Sequence, residues 1–300
     1  MSYSESDRFR AVRERLDSVF LGLDRLRNRD GVSGEYLDLQ KKLIASRTKA
    51  IFRIANTRRI AASLSKEITP EGLERPDYLP PVVEAAALTL EEFGIAAERG
   101  DFPEKISGAL VVVKATIAAD RQLVRRLVIV LLKPSPQNVS RLAGELSVEA
   151  DVLQFLGREL LKPYFHMLAA IHFTTETAEK WNQARCPICS GFPHIARLDK
   201  EAGARWLRCD LCDVEWRFER LTCPFCGNAE PANARYFTVC DDDAMRVSVC
   251  DKCQSYIKTY DERKSITQAD LLVEDVGSLA LDMIAHREGF VHTNMGMRFD

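Results

Sequence analysis

Four short stretches govern how this chain must fold: Cys186-Pro-Ile-Cys189, Cys209-Asp-Leu-Cys212, Cys223-Pro-Phe-Cys226 and Cys250-Asp-Lys-Cys253. Each sets two thiols three positions apart, so one tight turn can aim both at a single ion while its N–H groups bond to the sulfurs. Nineteen residues separate the first two pairs and twenty-three the last two, enough for a hairpin that brings a second turn back to complete a tetrahedron. Sequential pairing, first turn with second and third with fourth, is the most economical arrangement; crossed pairing fits the same spacing. The expected metal ligands are Cys186, Cys189, Cys209, Cys212, Cys223, Cys226, Cys250 and Cys253, as two four-cysteine sites.

The competing readings of these thiols are weaker. Reduced structural cysteines do not recur four times at one spacing, and a thioredoxin-like site needs one pair at a helix start. Tetrahedral thiolate ligation suits zinc and single iron alike, so the ligands do not name the metal. Gly227 directly follows the third pair, where a left-handed backbone would ease the turn; after the first pair the glycine, Gly191, comes one place later. Cys240 is unpaired and reads as a small buried strand residue. His166 and His194 read as structural, because four sulfurs already fill each site.

All nine cysteines lie beyond residue 185, and the hydrophobic periodicity changes at that boundary. Before it, Val12, Leu16, Val19, Leu23 and Leu26 step by three and four, one apolar stripe on a helix. Leu37 to Leu64 repeats the spacing more loosely. Thr69 to Pro81, with four prolines and a glycine, reads as a loop. Pro81 suits the first turn of a helix ending near Gly100, with Val83, Ala87, Leu90 and Ala97 on its buried side. Pro103 suits another start, followed by Ile106, Leu110, Val113 and Ile117. Leu123, Leu127 and Val130 continue that apolar side until Pro134 and Pro136 stop it. A last helical stretch runs from about Val148 to Trp181, with Pro163 predicting a kink or break. Beyond Cys186 the period is two: Val214, Trp216 and Phe218 alternate with charged residues, as do Met245, Val247 and Val249 with polar ones. A helix near Gln268 to Arg287 follows. The expected fold class is α+β and multidomain: a helical domain over 1–183, a first metal module over 184–222, and a second over 223–300 that includes a C-terminal helix.

The sequence resembles the formate dehydrogenase accessory proteins, the FdhE family. The resemblance is carried by Cys186-Pro-Ile-Cys-Ser-Gly-Phe-Pro193, Leu207-Arg-Cys-Asp-Leu-Cys-Asp-Val-Glu-Trp216 and Cys250-Asp-Lys-Cys-Gln-Ser-Tyr-Ile-Lys258. Cys223-Pro-Phe-Cys-Gly227, Asp241-Asp242, Glu274-Asp275, Leu281-Asp282 and Gly289-Phe290 fit the same pattern. These motifs cover the last 115 residues or so; the helical part carries none as sharp. The resemblance implies a helical bundle followed by two rubredoxin-like (zinc-ribbon-like) modules, with iron as cofactor and zinc as the alternative. It implies a cytoplasmic helper acting on the catalytic subunit of respiratory formate dehydrogenase before its twin-arginine export. Two departures stand out: Ser190 replaces the usual glycine after the first turn, and the tail Asn294-Met-Gly-Met-Arg-Phe299 is atypical.

Composition is that of an ordinary soluble protein: 300 residues, 46% hydrophobic, 29% charged, net charge −2. So balanced a charge gives no global pull toward nucleic acid or anionic membrane. The start of the chain lacks a secretory pattern, and Leu127 to Leu132 is too short an apolar run to span a bilayer; cytoplasm is the expected compartment. No nucleophile–base set, phosphate loop or paired catalytic carboxylate stands out, so the expectation is an assembly or maturation factor rather than an enzyme. A zinc-ribbon nucleic-acid binder is the second reading, resting on Lys41, Lys42, Arg47, Lys49, Arg53, Arg58, Arg59 and Lys66. It is disfavoured by the acidic balance of the cysteine region and by Asp241-Asp242-Asp243, placed at a hairpin tip. A rubredoxin-like electron carrier is the third, for which the helical part is larger than needed. The sequence leaves the oligomeric state open and admits a homodimer.

Overall fold

In the computed structural model the described residues are 5–64, 79–120, 122–132, 135–238, 244–266 and 270–292, with the side chains of 5–13 and 119 excepted. The expectations for Val12, the loop from Thr69, Lys66, Pro134, Cys240, Asp241–Asp243, Gln268 and the tail therefore lie outside this description. Helices fill the first part: α1 (Glu5–Arg25), α2 (Gly34–Ala55), α3 (Arg58–Leu64), α4 (Leu79–Glu98), α5 (Glu104–Ala119), α6 (Gln122–Leu132), α7 (Pro136–Leu146), α8 (Ala150–His172) and α9 (Thr175–Lys180). Pro81 sits in the first turn of α4, as its missing N–H and fixed φ favour. The buried face of α4 carries Val82, Ala85, Ala86, Leu90, Phe93 and Ala96; Val83, Ala87 and Ala97 are half-buried, one step around the helix from the expected stripe.

Several breaks fall where the periodicity does not announce them: Asn56 and Thr57 part α2 from α3, and Phe173 and Thr174 part α8 from α9. Asp120 turns extended and separates α5 from α6. Pro136 starts α7 rather than only ending its predecessor, with the Ser135 hydroxyl accepting from the Asn138 N–H at 3.2 Å. Conversely, α8 runs through Pro163. The residues around it, Leu160, Leu161, Tyr164 and Phe165, are all buried, and their packing outweighs the one hydrogen bond that proline removes.

The second part forms one six-stranded sheet: β1 (Pro193–Leu198), β2 (Arg205–Cys209), β3 (Glu215–Phe218), β4 (Ala234–Phe237), β5 (Met245–Cys250) and β6 (Ser255–Asp261), in the order β3-β2-β1-β6-β5-β4. Each cysteine-bearing half is an antiparallel meander, and the halves join by a parallel ladder from Ile195↔Lys258 to Leu198↔Asp261. Left alone, β1 and β6 would each present a row of unpaired backbone groups; pairing them removes both edges. The expected C-terminal helix is two, α10 (Leu271–Val276) and α11 (Leu279–Arg287), parted at Gly277. A Cβ there would come within 2.8 Å of Leu26, so the bend is also where the chain closes on the end of α1.

The helical and cysteine-bearing parts share a core. Ile54, Val82, Leu161, Tyr164 and Leu168 cluster with Cys186, Leu207, Cys212, Val214 and Trp216. Around it lie buried ions. Lys258, 2% exposed, meets Asp275 and Asp282 at 2.7 Å each, and Asp275 also meets His194 at 3.0 Å. The Tyr256 hydroxyl donates to Asp282 at 2.8 Å. On α8, Glu159 lies between Lys162 (2.7 Å) and Arg47 of α2 (3.3 Å). Four members of the basic stretch thus have acidic partners within the chain: Lys41 with Asp24, Arg47 with Glu159, Arg53 with Glu91 and Glu92, Arg59 with Glu84.

Burial alone would raise Asp275, yet His194 and Lys258 hold it far below the carboxylate range; burial would lower His194, yet Asp275 holds it above its ordinary value. Stability from Asp275 is present above about pH 4 and lost as pH falls through its depressed folded value. Stability from His194 is full below about pH 6.5 and lost as pH rises through its raised folded value. Asp275→Asn should lower unfolding free energy by about 3–5 kcal/mol, the cost of stranding a buried charge, and flatten its pH dependence above neutrality; urea titrations from pH 5 to 9 check both. Gly157 on α8 faces Leu131, whose Cδ2 would lie 2.1 Å from an added Cβ. Gly157→Ala should therefore cost about 1–3 kcal/mol, read as a lower urea midpoint.

Candidate metal centres

Each Cys-x-x-Cys turn closes on itself in the same way. The first cysteine's N–H donates to a carbonyl five residues on, in Cys186→Gly191 (2.9 Å), Cys209→Val214 (3.0 Å) and Cys223→Asn228 (2.8 Å). The residue after the second cysteine donates back to the first: Ser190→Cys186, Asp213→Cys209, Gly227→Cys223 and Gln254→Cys250. That residue is left-handed in all four turns, at φ 56° for Ser190, 62° for Asp213, 71° for Gly227 and 54° for Gln254. Only the third turn has the glycine that this conformation favours; the others carry about 1–2 kcal/mol of backbone strain each. Gly191 has a different reason to be glycine: a Cβ would sit 3.2 Å from the Cys189 sulfur.

The turns bring the eight sulfurs into two groups, Cys186/Cys189/Cys209/Cys212 and Cys223/Cys226/Cys250/Cys253, with all ligand atoms in each within 4.8 Å of one another. The grouping is the sequential one. Four sulfurs bound at about 2.3 Å around one ion stand about 3.8 Å apart. In the second group Cys223–Cys253 is 3.7 Å and Cys226–Cys250 is 3.8 Å. The first is tighter, with Cys186–Cys212 at 3.3 Å, Cys189–Cys209 at 3.4 Å and Cys189–Cys212 at 3.9 Å. Backbone N–H groups aim at the sulfurs from inside the turns: Ile188 to Cys186, Gly191 to Cys189 and Leu211 to Cys209, at 3.3–3.4 Å. Such donors stabilise thiolate, and a group of four thiolates needs a cation at its centre. Burial pushes Cys186 and Cys212 up, while hydrogen bonds from Cys186 and its neighbours pull Cys209 down, so the thiol protons are unequally held.

The two groups have different surroundings. In the first, Cys186, Cys209 and Cys212 are buried and Cys189 is half-buried; in the second, Cys250 is buried, Cys223 and Cys253 are half-buried and Cys226 is exposed. The first group is sealed by α8: Arg158 and Lys162 both pair with Asp210, inside the turn Cys209-Asp-Leu-Cys212, Lys162 at 3.1 Å. Burial would raise Asp210, but Lys162 and Arg158 hold it well below the carboxylate range. Asp213, after the same turn, pairs with Arg208 and lies 3.6 Å from His166. Asp210 and Asp213 stand within the quoted stretch 207–216, where the sequence alone assigns them no role of their own. His194 faces Asp275 and His166 faces Asp213, so neither adds to a sulfur group. Between the groups, Phe192 and Phe225 meet with ring centroids 5.7 Å apart, and Phe225 meets His292 at the same distance.

Two family models match consecutive stretches: "FdhE, central domain" over residues 185–220 and "FdhE, C-terminal domain" over 221–297. An FdhE homolog of Aquifex aeolicus is 35% identical over 152 residues, covering 49% of this chain and 52% of that protein. FdhE of Escherichia coli is 29% identical over 177 residues, 55% of each. The chain thus spans about half the length of the curated relatives it matches. Among solved structures, the FdhE protein from Pseudomonas aeruginosa superposes with a TM-score of 0.59 over 93% of both chains at 19% identity, which shows a shared fold. No helix among the described residues is long and apolar enough to cross a membrane. Over residues 185–297, which hold the cysteine-bearing sheet, the chain matches the central and C-terminal domains of the FdhE family.

Proposed function

We propose that this protein is a cytoplasmic accessory factor in the assembly or maturation of formate dehydrogenase, binding the catalytic subunit of that enzyme before export. In this reading each four-cysteine group holds one metal ion, iron in a rubredoxin-like site or zinc in its place. The observation that carries the metal part is the sulfur geometry, with two groups at close to tetrahedral spacing. An ion ligated by four thiolates has no open position for a substrate, which favours a structural or one-electron role over hydrolysis or Lewis-acid chemistry. The client part rests on the match to the FdhE domains and on the sequence motifs. A homodimer remains compatible with this reading. The paired basic residues of α2 and α3 speak against nucleic acid, since four of them already meet carboxylates within the chain.

Metal analysis of protein purified anaerobically from its own host should find two ions per chain. Cys209→Ser should leave one ion, still held by the Cys223/Cys250 group, and should lower thermal stability sharply because Cys209 sits in the core shared with the helices. Cys226→Ser should also leave one ion but cost less stability, because Cys226 is exposed. Equal losses for the two variants would sink the division into a sealed and an open site. Gly191→Ala, which crowds Cys189, should lower the occupancy of the first site only. Affinity capture of the full chain should retain a formate dehydrogenase catalytic subunit; no retained subunit, together with normal formate oxidation in a deletion strain, would refute the accessory role.

A further inference from the structure

One face of the sheet is open beside the second sulfur group. The ladders place Arg246, Ser248 and Cys250 of β5 on the same face as Thr259, Ile257 and Ser255 of β6, and Tyr236 of β4 beside Ser248. The opposite face holds Met245, Val247, Val249 and Tyr256, packed with Leu271 and Leu281 of α10 and α11. The open face, with the segment 220–225 and Arg205 of β2, encloses a cavity of about 300 Å³. Its lining includes four arginines, Arg205, Arg220, Arg235 and Arg246, and no aspartate or glutamate.

The state of these arginines points to a ligand. Arg235 is spoken for, in a two-bond pair with Asp251 at 2.6 and 2.7 Å. Arg205 is 7% exposed, and among the described residues its hydrogen-bond partners are the carbonyls of Arg220 and Thr222, at 3.3 and 3.0 Å. A buried guanidinium without a carboxylate is costly. Arg246 has a buried Nε with no partner, and its nearest carboxylate, Asp261, is 3.9 Å away and already held by Arg263 at 2.6 Å. Arg246 lies over the Tyr236 ring at 4.9 Å. Arg220 is exposed, and no carboxylate among the described residues pairs with it. Compensation of thiolate charge accounts for Arg205 beside Cys223. It does not account for Arg246, whose Nε is buried without a hydrogen bond and whose one nearby carboxylate, Asp261, offsets burial only in part.

We infer that this cavity is a binding site for a small oxyanion, a carboxylate or phosphate monoester carrying an apolar or aromatic body. Arg246, Arg220 and Arg205 would take the head, with one hydroxyl of the Ser248–Thr259 pair, 3.2 Å apart, as a further donor. Leu198, Ile257 and Tyr236 would take the body. The ligand would then lie against Cys223 and Cys250, on the open side of the second sulfur group.

Calorimetric titration of the full metal-loaded chain with phenyl phosphate, benzoate and inorganic phosphate tests the site. One-to-one saturable binding is expected for at least one of the two aromatic probes, and their order identifies the head as phosphate or carboxylate. Inorganic phosphate should bind more weakly than phenyl phosphate; equal affinity would remove the apolar wall from the proposal. Arg246→Gln and Arg220→Gln should each weaken the preferred probe about tenfold or more, as loss of a charge-assisted hydrogen bond does, while metal content stays at its parental level. Arg220 is exposed, so its variant keeps the test valid if Arg246→Gln misfolds. No binding of either aromatic probe, or binding untouched by Arg220→Gln, overturns the inference.

Discussion

The parallel ladder between β1 and β6 is the constraint on which the rest of this structure depends. Each half of the cysteine region is a three-stranded meander pinned by its own pair of turns, too small to build a core unaided. Joining them edge to edge gives a six-stranded sheet with one face for α10 and α11 and enough buried area for the helical part to dock. The ladder also sets Ile195 of β1 beside Lys258 of β6. This brings the histidine and lysine of two different halves to the same carboxylate, Asp275 on α10. A charged cluster at this place links the sheet halves, and the helix that carries Asp275 also touches α1.

Docking of the helices adds a second layer of charge. The α8 segment Arg158-Glu159-Lys162 is buried against Arg47 on one side and Asp210 on the other. Attraction in such a cluster offsets desolvation only when every charge has its partner. The gain is specificity of placement more than raw stability, because a shifted helix would strand several ions together. The core packing of Leu161, Leu168 and Val214 fixes the same register by shape. Charge and packing therefore agree on one docking geometry.

The local parts of this architecture were legible in the sequence because they depend on local physics. The cysteine turns, the β3 and β5 alternation and the Pro81 helix start all follow from spacing within a few residues, whereas spacing favours the sequential grouping without excluding a crossed one. What was not legible is long-range. Neither β1 nor β6 alternates cleanly, since both are central strands buried on both faces, and buried strands lose the period-two signal. Helix α7 hides behind two prolines that read as a stop. Ser190, Asp213 and Gln254 occupy left-handed positions where spacing would expect glycine; the turn's own hydrogen bonds hold them there. Lys258, Asp275 and Asp282 appeared as parts of a family motif, and only the fold reveals them as one buried cluster.

The sealing of the first sulfur group by α8 also imposes an order in time. The helical part is synthesised before any cysteine, so α8 is complete while the turns that it will cover are still emerging. Once Arg158 and Lys162 grip Asp210 and the shared core closes, Cys186, Cys209 and Cys212 are buried, and Cys189 alone of that group stays half-buried. An ion for that group would enter most easily in the interval between the last of its turns and the closing of α8. The second group, with Cys226 at the surface, keeps no such deadline. One chain thus contains two sulfur groups of unequal access, one largely covered when the helices dock and one that keeps a cysteine at the surface.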